Sequence, residues 1–310
     1  MKTNFLLTLV LSVAISDMHG QSVEKVFFGA ERTEDYYLML RPHSDKIAGV
    51  LVLLPGFGQL PESIFPESKL FNVAYANNLL TVAIAGGTKL YADEEVTAKL
   101  DRAFDHLLKK FSGVRKDQFI IGGYSAGGSI ALRYTEACNQ PTNQHRIAPR
   151  GVFTVDSPID LFDIWGYFQR EKEKNFSDAG VAEARFATDI MVREIGSPTT
   201  NPARYSELTP FYRENKQPGN EQYLMNTAVR VYEDTDINWQ LRERRRSVED
   251  MNLFSAAALI NRLLLQGHTR AEFMPAKQPG YRSSGLRHPH SWSIVDEVEL
   301  VQWSLSLINP

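Results

Sequence analysis

Three features of the chain predict an α/β fold with a mostly parallel central sheet, helices on both of its faces and a helical insertion. Short apolar runs rich in β-branched and aromatic residues recur through its 310 residues. Helical patterns fill most intervals between those runs, and one interval is much longer than a crossover connection needs. Composition agrees, since hydrophobic residues at 43% and charged residues at 23% sit near globular averages and exclude collagen-like, coiled-coil and wholly disordered chains. A formal net charge of -3 excludes the strongly basic face that nucleic-acid binding demands, so small molecules or polymer-borne groups are the expected partners.

The chain opens on a leader pattern. Lys2 precedes an apolar run from Phe5 to Ile15, and Ala14, Ser16 and Gly20 offer small residues for cleavage, so residues 1–20 read as a secretory signal peptide. That run is shorter than the roughly 20 apolar residues of a membrane span, so no stable membrane insertion is expected and a secreted or periplasmic location is. Cys138 is the only cysteine, which excludes an intrachain disulfide and cysteine-rich metal sites and reads as a small buried helix residue.

Residues 21–310 then read as one domain. Strands are predicted at 36–40, 47–54, 79–85, 118–121, 151–155, 228–232 and 271–274, and helices at 69–77, 94–111, 126–138, 239–251, 253–266 and 294–305. Only a short polar stretch separates the first two strands, which predicts an antiparallel hairpin at one edge. Between the fifth and sixth strands, residues of about 157–226 read as a helical cap insertion, dense in aromatics, that governs access to a cleft. The run Arg242-Glu243-Arg244-Arg245-Arg246 reads as a solvated helix face, with attraction of an acidic substrate or a membrane surface as the alternative.

Chemistry enters at Gly123-Tyr124-Ser125-Ala126-Gly127, a G-x-S-x-G pattern lying between a predicted strand and a predicted helix. A serine in so sharp a turn needs glycine on both sides, because a Cβ there strikes the neighbouring strand or helix. A phosphate loop is excluded, since Gly128 stands where that motif needs lysine. A hydroxyl needs a base to take its proton and a carboxylate to orient that base. His145 comes too early, and His268 reads as a turn or surface residue. His288 and His290 follow the last strand, and of the two His290 is favoured because it abuts the terminal helix, where Ser293 with Asp296 suggests a capping box. His288 reads as an exposed loop residue, and a His-Pro-His metal site lacks a third ligand nearby.

For the carboxylate, Asp236 is favoured within Glu233-Asp234-Thr235-Asp236 after the sixth strand, and Asp156 or Asp234 remain alternatives. The turn Pro55-Gly56-Phe57-Gly58 after the second predicted strand offers the Phe57 N–H, with that of Ala126, as an oxyanion site. It is not a dinucleotide site, since Pro61 stands where a third glycine belongs.

With these parts in this order, the chain from about Glu34 onward resembles the α/β-hydrolase superfamily. It looks most like secreted esterases of the dienelactone-hydrolase, feruloyl-esterase and prolyl-oligopeptidase-like groups. The resemblance implies Ser125 as nucleophile, His290 as general base and then acid, Asp236 as orienting carboxylate, no cofactor and no metal. Where many relatives have His-Gly this chain has Pro55-Gly56, so a side-chain role for that histidine is absent. Too little chain precedes the hydrolase region for a propeller domain, so endopeptidase activity is not expected. The function expected is hydrolysis of a carboxylic ester by a secreted enzyme. The alternatives are a peptidase or amidase with the same triad and a non-catalytic binding protein on the same fold. Acyl and alcohol specificity and oligomeric state are not legible.

Overall fold

A computed structural model describes residues 21–28, 35–143 and 145–309, so the expected signal peptide at 1–20 lies outside the described residues. Among the described residues eight strands form one sheet: β1 Val23–Phe27, β2 Tyr36–Leu40, β3 Gly49–Leu54, β4 Leu79–Ile84, β5 Phe119–Tyr124, β6 Gly151–Val155, β7 Ala228–Glu233 and β8 Ala271–Pro275. Their order is β1-β2-β4-β3-β5-β6-β7-β8. Pairing is parallel from β4 through β8 and antiparallel for β1 with β2 and β2 with β4.

The central strands are continuous apolar runs because both faces of the sheet are covered. In β3, Val50, Val52 and Leu54 enter one core cluster and Leu51 and Leu53 the other, the alternation that a period of two imposes. The helices are α1 Ile64–Glu67, α2 Leu70–Ala76, α3 Glu94–Lys110, α4 Ala126–Cys138, α5 Leu161–Lys174, α6 Asp178–Ile195, α7 Pro202–Leu208, α8 Ile237–Trp239, α9 Asn252–Leu265 and α10 Glu297–Ile308. Helices α3, α4 and α9 cover the first face through Leu100, Phe104, Leu132, Leu259 and Leu263. Helices α2 and α10 cover the second through Leu70, Ala74, Leu300 and Val301. Each fully buried leucine adds about 2 kcal/mol by leaving water. Cys138 is free and buried.

Two expectations are corrected. The strands predicted at 36–40 and 47–54 do not form a hairpin, because β4 lies between β2 and β3. β2 pairs antiparallel with β1 and with β4, whereas β3 pairs parallel with β4 and β5, the central position that its run Val50–Leu54, apolar on both faces, suits. The helix predicted at 239–251 is instead a single turn at α8, a π turn at Gln240–Arg244, a left-handed residue at Arg245 with φ 50°, and a 3-10 turn at Val248–Asp250. Only Trp239 and Leu241 are apolar in its first half, too few for the stripe that holds a helix on a core.

Between β6 and β7 the chain forms α5, α6 and α7, which share an apolar cluster of Tyr167, Phe168, Ala184, Met191 and Tyr205 that reaches Ala126 of α4. Among the described residues no helix is long and apolar enough to cross a membrane.

Candidate active site

The turn from β5 into α4 places Ser125 at φ 54° and ψ -127°, a conformation that costs a non-glycine residue about 1–3 kcal/mol and persists only where its surroundings enforce it. They do so through the backbone. The Ser125 N–H donates to the Val155 carbonyl at 2.9 Å, and the Ser125 carbonyl accepts from Gly128 at 3.0 Å. A Cβ on Gly123 lies 2.3 Å from the Gly127 carbonyl carbon, and one on Gly127 lies 2.3 Å from the Leu54 oxygen. Both obstacles are main chain and cannot move aside, so the two glycines of the pentapeptide are required for the reason the sequence suggested.

His290 hangs from the loop after β8. Its Nδ1 lies 3.0 Å from Oδ2 of Asp156. Asp156 follows β6, the strand beside β5, and has a positive φ of 41°. Burial by itself raises the Asp156 carboxyl, but the His290 charge and bonds from His290 and Asn252 outweigh it and hold the group below the usual carboxylate range. Asn252, at the start of α9, donates to Asp156 Oδ1 at 2.7 Å and to its carbonyl at 3.0 Å. The imidazole thus has one nitrogen tied to a buried carboxylate, which leaves Nε2 as its other functional atom. Tyr124 fixes the ring from below, with centroids 4.5 Å apart and its hydroxyl donating to the His290 carbonyl at 3.0 Å.

The structure does not bring Asp236 to His290. Asp236 accepts from the Trp239 N–H at 2.9 Å and from Arg287 at 3.1 Å. Asp234, the other alternative, lies 2.9 Å from the same Arg287 nitrogen and accepts from the Gly280 N–H at 2.9 Å. Both carboxylates are held instead by partners on the histidine loop and in the turn after β7. Arg287 and Gly280 both belong to that loop, so Asp234 and Asp236 anchor the segment that carries His290.

Three smaller expectations also change. His288 lines the same cavity and is half-buried rather than exposed; burial first, then the neighbouring His290 charge, push its imidazole down to about 3. Ser293 and Asp296 do not form a box, because α10 starts at Glu297 and Asp296 is itself the cap, accepting from Glu299 N–H at 3.1 Å, while the Ser293 hydroxyl donates to the Tyr281 carbonyl. His268 is buried, its Nε2 2.8 Å from the Thr227 carbonyl oxygen, and is structural.

The turn after β3 is locked by Gln59, whose Oε1 accepts from Gly56 N–H at 2.9 Å, and by Gly58, which at φ 67° donates to the Gly87 carbonyl at 2.9 Å. Neither the Phe57 N–H nor the Ala126 N–H, the first of α4, has an acceptor among the described residues. Phe57, Ser125, Asp156 and His290 line one cavity of about 90 Å³, walled by Ile164, Tyr167, Phe168 and Ala187 of α5 and α6.

The site holds further residues to which sequence reasoning assigned no specific role. Glu233, at the end of β7, is buried, and burial together with Asp156 beside it pushes its carboxyl well above the usual carboxylate range. Tyr124 was visible inside the pentapeptide, whereas nothing local marks Asn252. Arg244 and Arg246, expected on a solvated face, line the cavity. Among the described residues no group of three or more His, Cys, Asp or Glu side chains is placed to hold a metal ion.

No family model and no curated protein matches the chain. Solved structures do. Fluorophosphonate-binding serine hydrolase F of Staphylococcus aureus is 12% identical with a TM-score of 0.56, over 94% of this chain and 99% of that one. A fungal esterase of Rhizomucor miehei is 13% identical with a TM-score of 0.56, over 94% and 86%. A putative carboxylesterase of Lactobacillus plantarum is 14% identical with a TM-score of 0.54, over 93% and 99%. The sheet order, the covered faces and these likenesses agree that the chain has the α/β-hydrolase fold.

Proposed function

We propose that the protein is a serine hydrolase that cleaves carboxylic esters through an acyl-enzyme, with Ser125, His290 and Asp156 as its triad. The observation that carries this reading is the shared cavity, into which a strained serine turn and the His290–Asp156 pair both open. In the first half-reaction His290 Nε2 takes the Ser125 proton as Oγ bonds to the ester carbonyl carbon. The resulting imidazolium is held by Asp156, and the oxyanion by the Phe57 and Ala126 N–H groups, each worth about 3–4 kcal/mol in such sites. His290 then returns the proton to the leaving alkoxide as the carbon–oxygen bond breaks. Water repeats the sequence on the acyl-enzyme and frees Ser125 and the acid.

The helical segment between β6 and β7 supports a cap role, since α5 and α6 supply much of the cavity wall. The leader pattern supports export of the mature chain. Hydrolysis of short-chain p-nitrophenyl esters tests the reading. Ser125→Ala is expected to abolish turnover in protein that melts as the parent does, and undiminished turnover overturns it.

A further inference from the structure

The cavity that holds Ser125 and His290 is also lined by two arginines, neither of them in a salt bridge among the described residues. Arg244 ends the π turn and Arg246 follows the left-handed Arg245. That backbone detour sorts the basic run. Arg245 turns away, 5.2 Å over the Phe176 ring and bonded to the Leu241 carbonyl, while Arg244 and Arg246 face the cavity on either side of it. π turns of this kind recur at functional sites.

Neither arginine lies within 4.0 Å of a carboxylate among the described residues. The acids that share the cavity are committed elsewhere. Asp250 pairs with Arg170 at 2.7 Å, Asp234 with Arg287 at 2.9 Å and Asp156 with His290 at 3.0 Å, and Glu233 is buried and pushed toward its neutral form. Glu183 also lines the cavity but is exposed and outside salt-bridge distance of Arg244, on which its charge acts more weakly than burial and Arg246 do. Arg246 is held in place by Tyr167, its guanidinium 4.5 Å from the ring centroid and Nη2 donating to the hydroxyl, yet its buried Nε has no acceptor. Arg244 lies close enough to Arg246, and deep enough, that burial and that second charge lower its proton affinity. Two adjacent, partly desolvated cations with donors to spare make a site for an anion, and the planar guanidinium fork matches a carboxylate.

We propose that Arg244 and Arg246 bind a carboxylate carried by the substrate, so that the enzyme acts on esters whose acyl or alcohol part is anionic. This rests on the hydrolase reading for the ester and on the arginine pair alone for the carboxylate. The cavity wall sets the rest: Tyr167, Phe168 and Ile164 receive the apolar span between the scissile ester and the carboxylate.

The test has two arms. In the first, proton release compares monomethyl adipate with methyl hexanoate for an anionic acyl part, and 4-acetoxybenzoate with 4-methylphenyl acetate for an anionic alcohol part. The anionic member of one pair is expected to show at least about 10-fold higher kcat/KM, the size of one charge-assisted hydrogen bond, and the preference to vanish in Arg244→Gln/Arg246→Gln. In the second arm, adipate is expected to raise the melting temperature of Ser125→Ala protein, whose arginines are intact, and not that of the same protein with both glutamines. The pair of which the anionic member is favoured identifies the half of the substrate that carries the charge. Equal and measurable kcat/KM within both pairs, or no effect of adipate on Ser125→Ala melting, overturns the proposal. Adipate binding that depends on the arginines, in a protein that cleaves none of the four esters, supports the carboxylate site and overturns the hydrolase reading instead.

Discussion

Asp156→Asn is the substitution whose outcome the geometry fixes most tightly. Asn252 Nδ2 donates to Asp156 Oδ1 at 2.7 Å, so an asparagine at 156 must keep its carbonyl toward Asn252, since two amide nitrogens cannot face each other. Its own NH2 then occupies the place of Oδ2, 3.0 Å from His290 Nδ1. A donor there makes Nδ1 an acceptor, moves the imidazole proton to Nε2, and leaves no lone pair to receive the Ser125 proton. Loss of the correct tautomer in established triads costs about 10⁴ in kcat, or about 5.4 kcal/mol of barrier. Asp236→Asn is the control. It keeps the cap on Trp239 through its carbonyl and weakens only a contact to Arg287 made by a side chain that is 40% exposed, so stability falls by less than about 1 kcal/mol and kcat changes several-fold at most. Initial rates on p-nitrophenyl acetate, with thermal melts to show that both variants fold, distinguish the two. An active Asp156→Asn beside an inactive Asp236→Asn refutes the assignment.

Two further outcomes follow from the same structure. Gly127→Ala is expected to abolish ester hydrolysis and lower the melting temperature, because its Cβ falls 2.3 Å from the Leu54 carbonyl oxygen and 2.4 Å from that of Pro55; wild-type melting in that variant contradicts the close approach. His288 gives a pH dependence. Above its ordinary value of 6.5 the imidazole is neutral in both folded and unfolded chains, whereas between 6.5 and about 3 the unfolded chain takes up a proton that the folded one refuses. Its contribution therefore erodes stability as pH falls through that window, with a slope below about 1.4 kcal/mol per pH unit because the ring is only half-buried. Melting temperatures of wild type and His288→Gln are expected to diverge toward the wild type's disadvantage between pH 6 and 4, and parallel curves contradict the burial argument.

The central strands were legible because each is an apolar run that needs cover on both faces, a demand visible in Val50–Leu54 without any knowledge of its neighbours. β1 was not, since in Val23–Phe27 the adjacent charges Glu24 and Lys25 break both an apolar run and a period of two, as an exposed edge permits. The serine was legible from its glycines, whose need is local. The carboxylate was not, because Asp156 and Asp236 both follow strands, and only the folded course of the histidine loop, which brings His290 to Asp156 and Arg287 to Asp236, decides between them. Which arginines of the basic run face the cavity was hidden for a related reason. A charge run reports composition, and which of its side chains turn inward depends on a π turn and one left-handed residue that no periodicity marks.

Labelling with a fluorophosphonate probe, located by mass spectrometry, tests the central claim most directly, because phosphonylation requires a hydroxyl that is already activated. The account predicts a single adduct on Ser125 of the folded protein, absent in Ser125→Ala and lost or greatly slowed in His290→Ala and Asp156→Asn. Folded protein that takes no adduct, or takes it elsewhere, contradicts the account, as does labelling at an undiminished rate in His290→Ala.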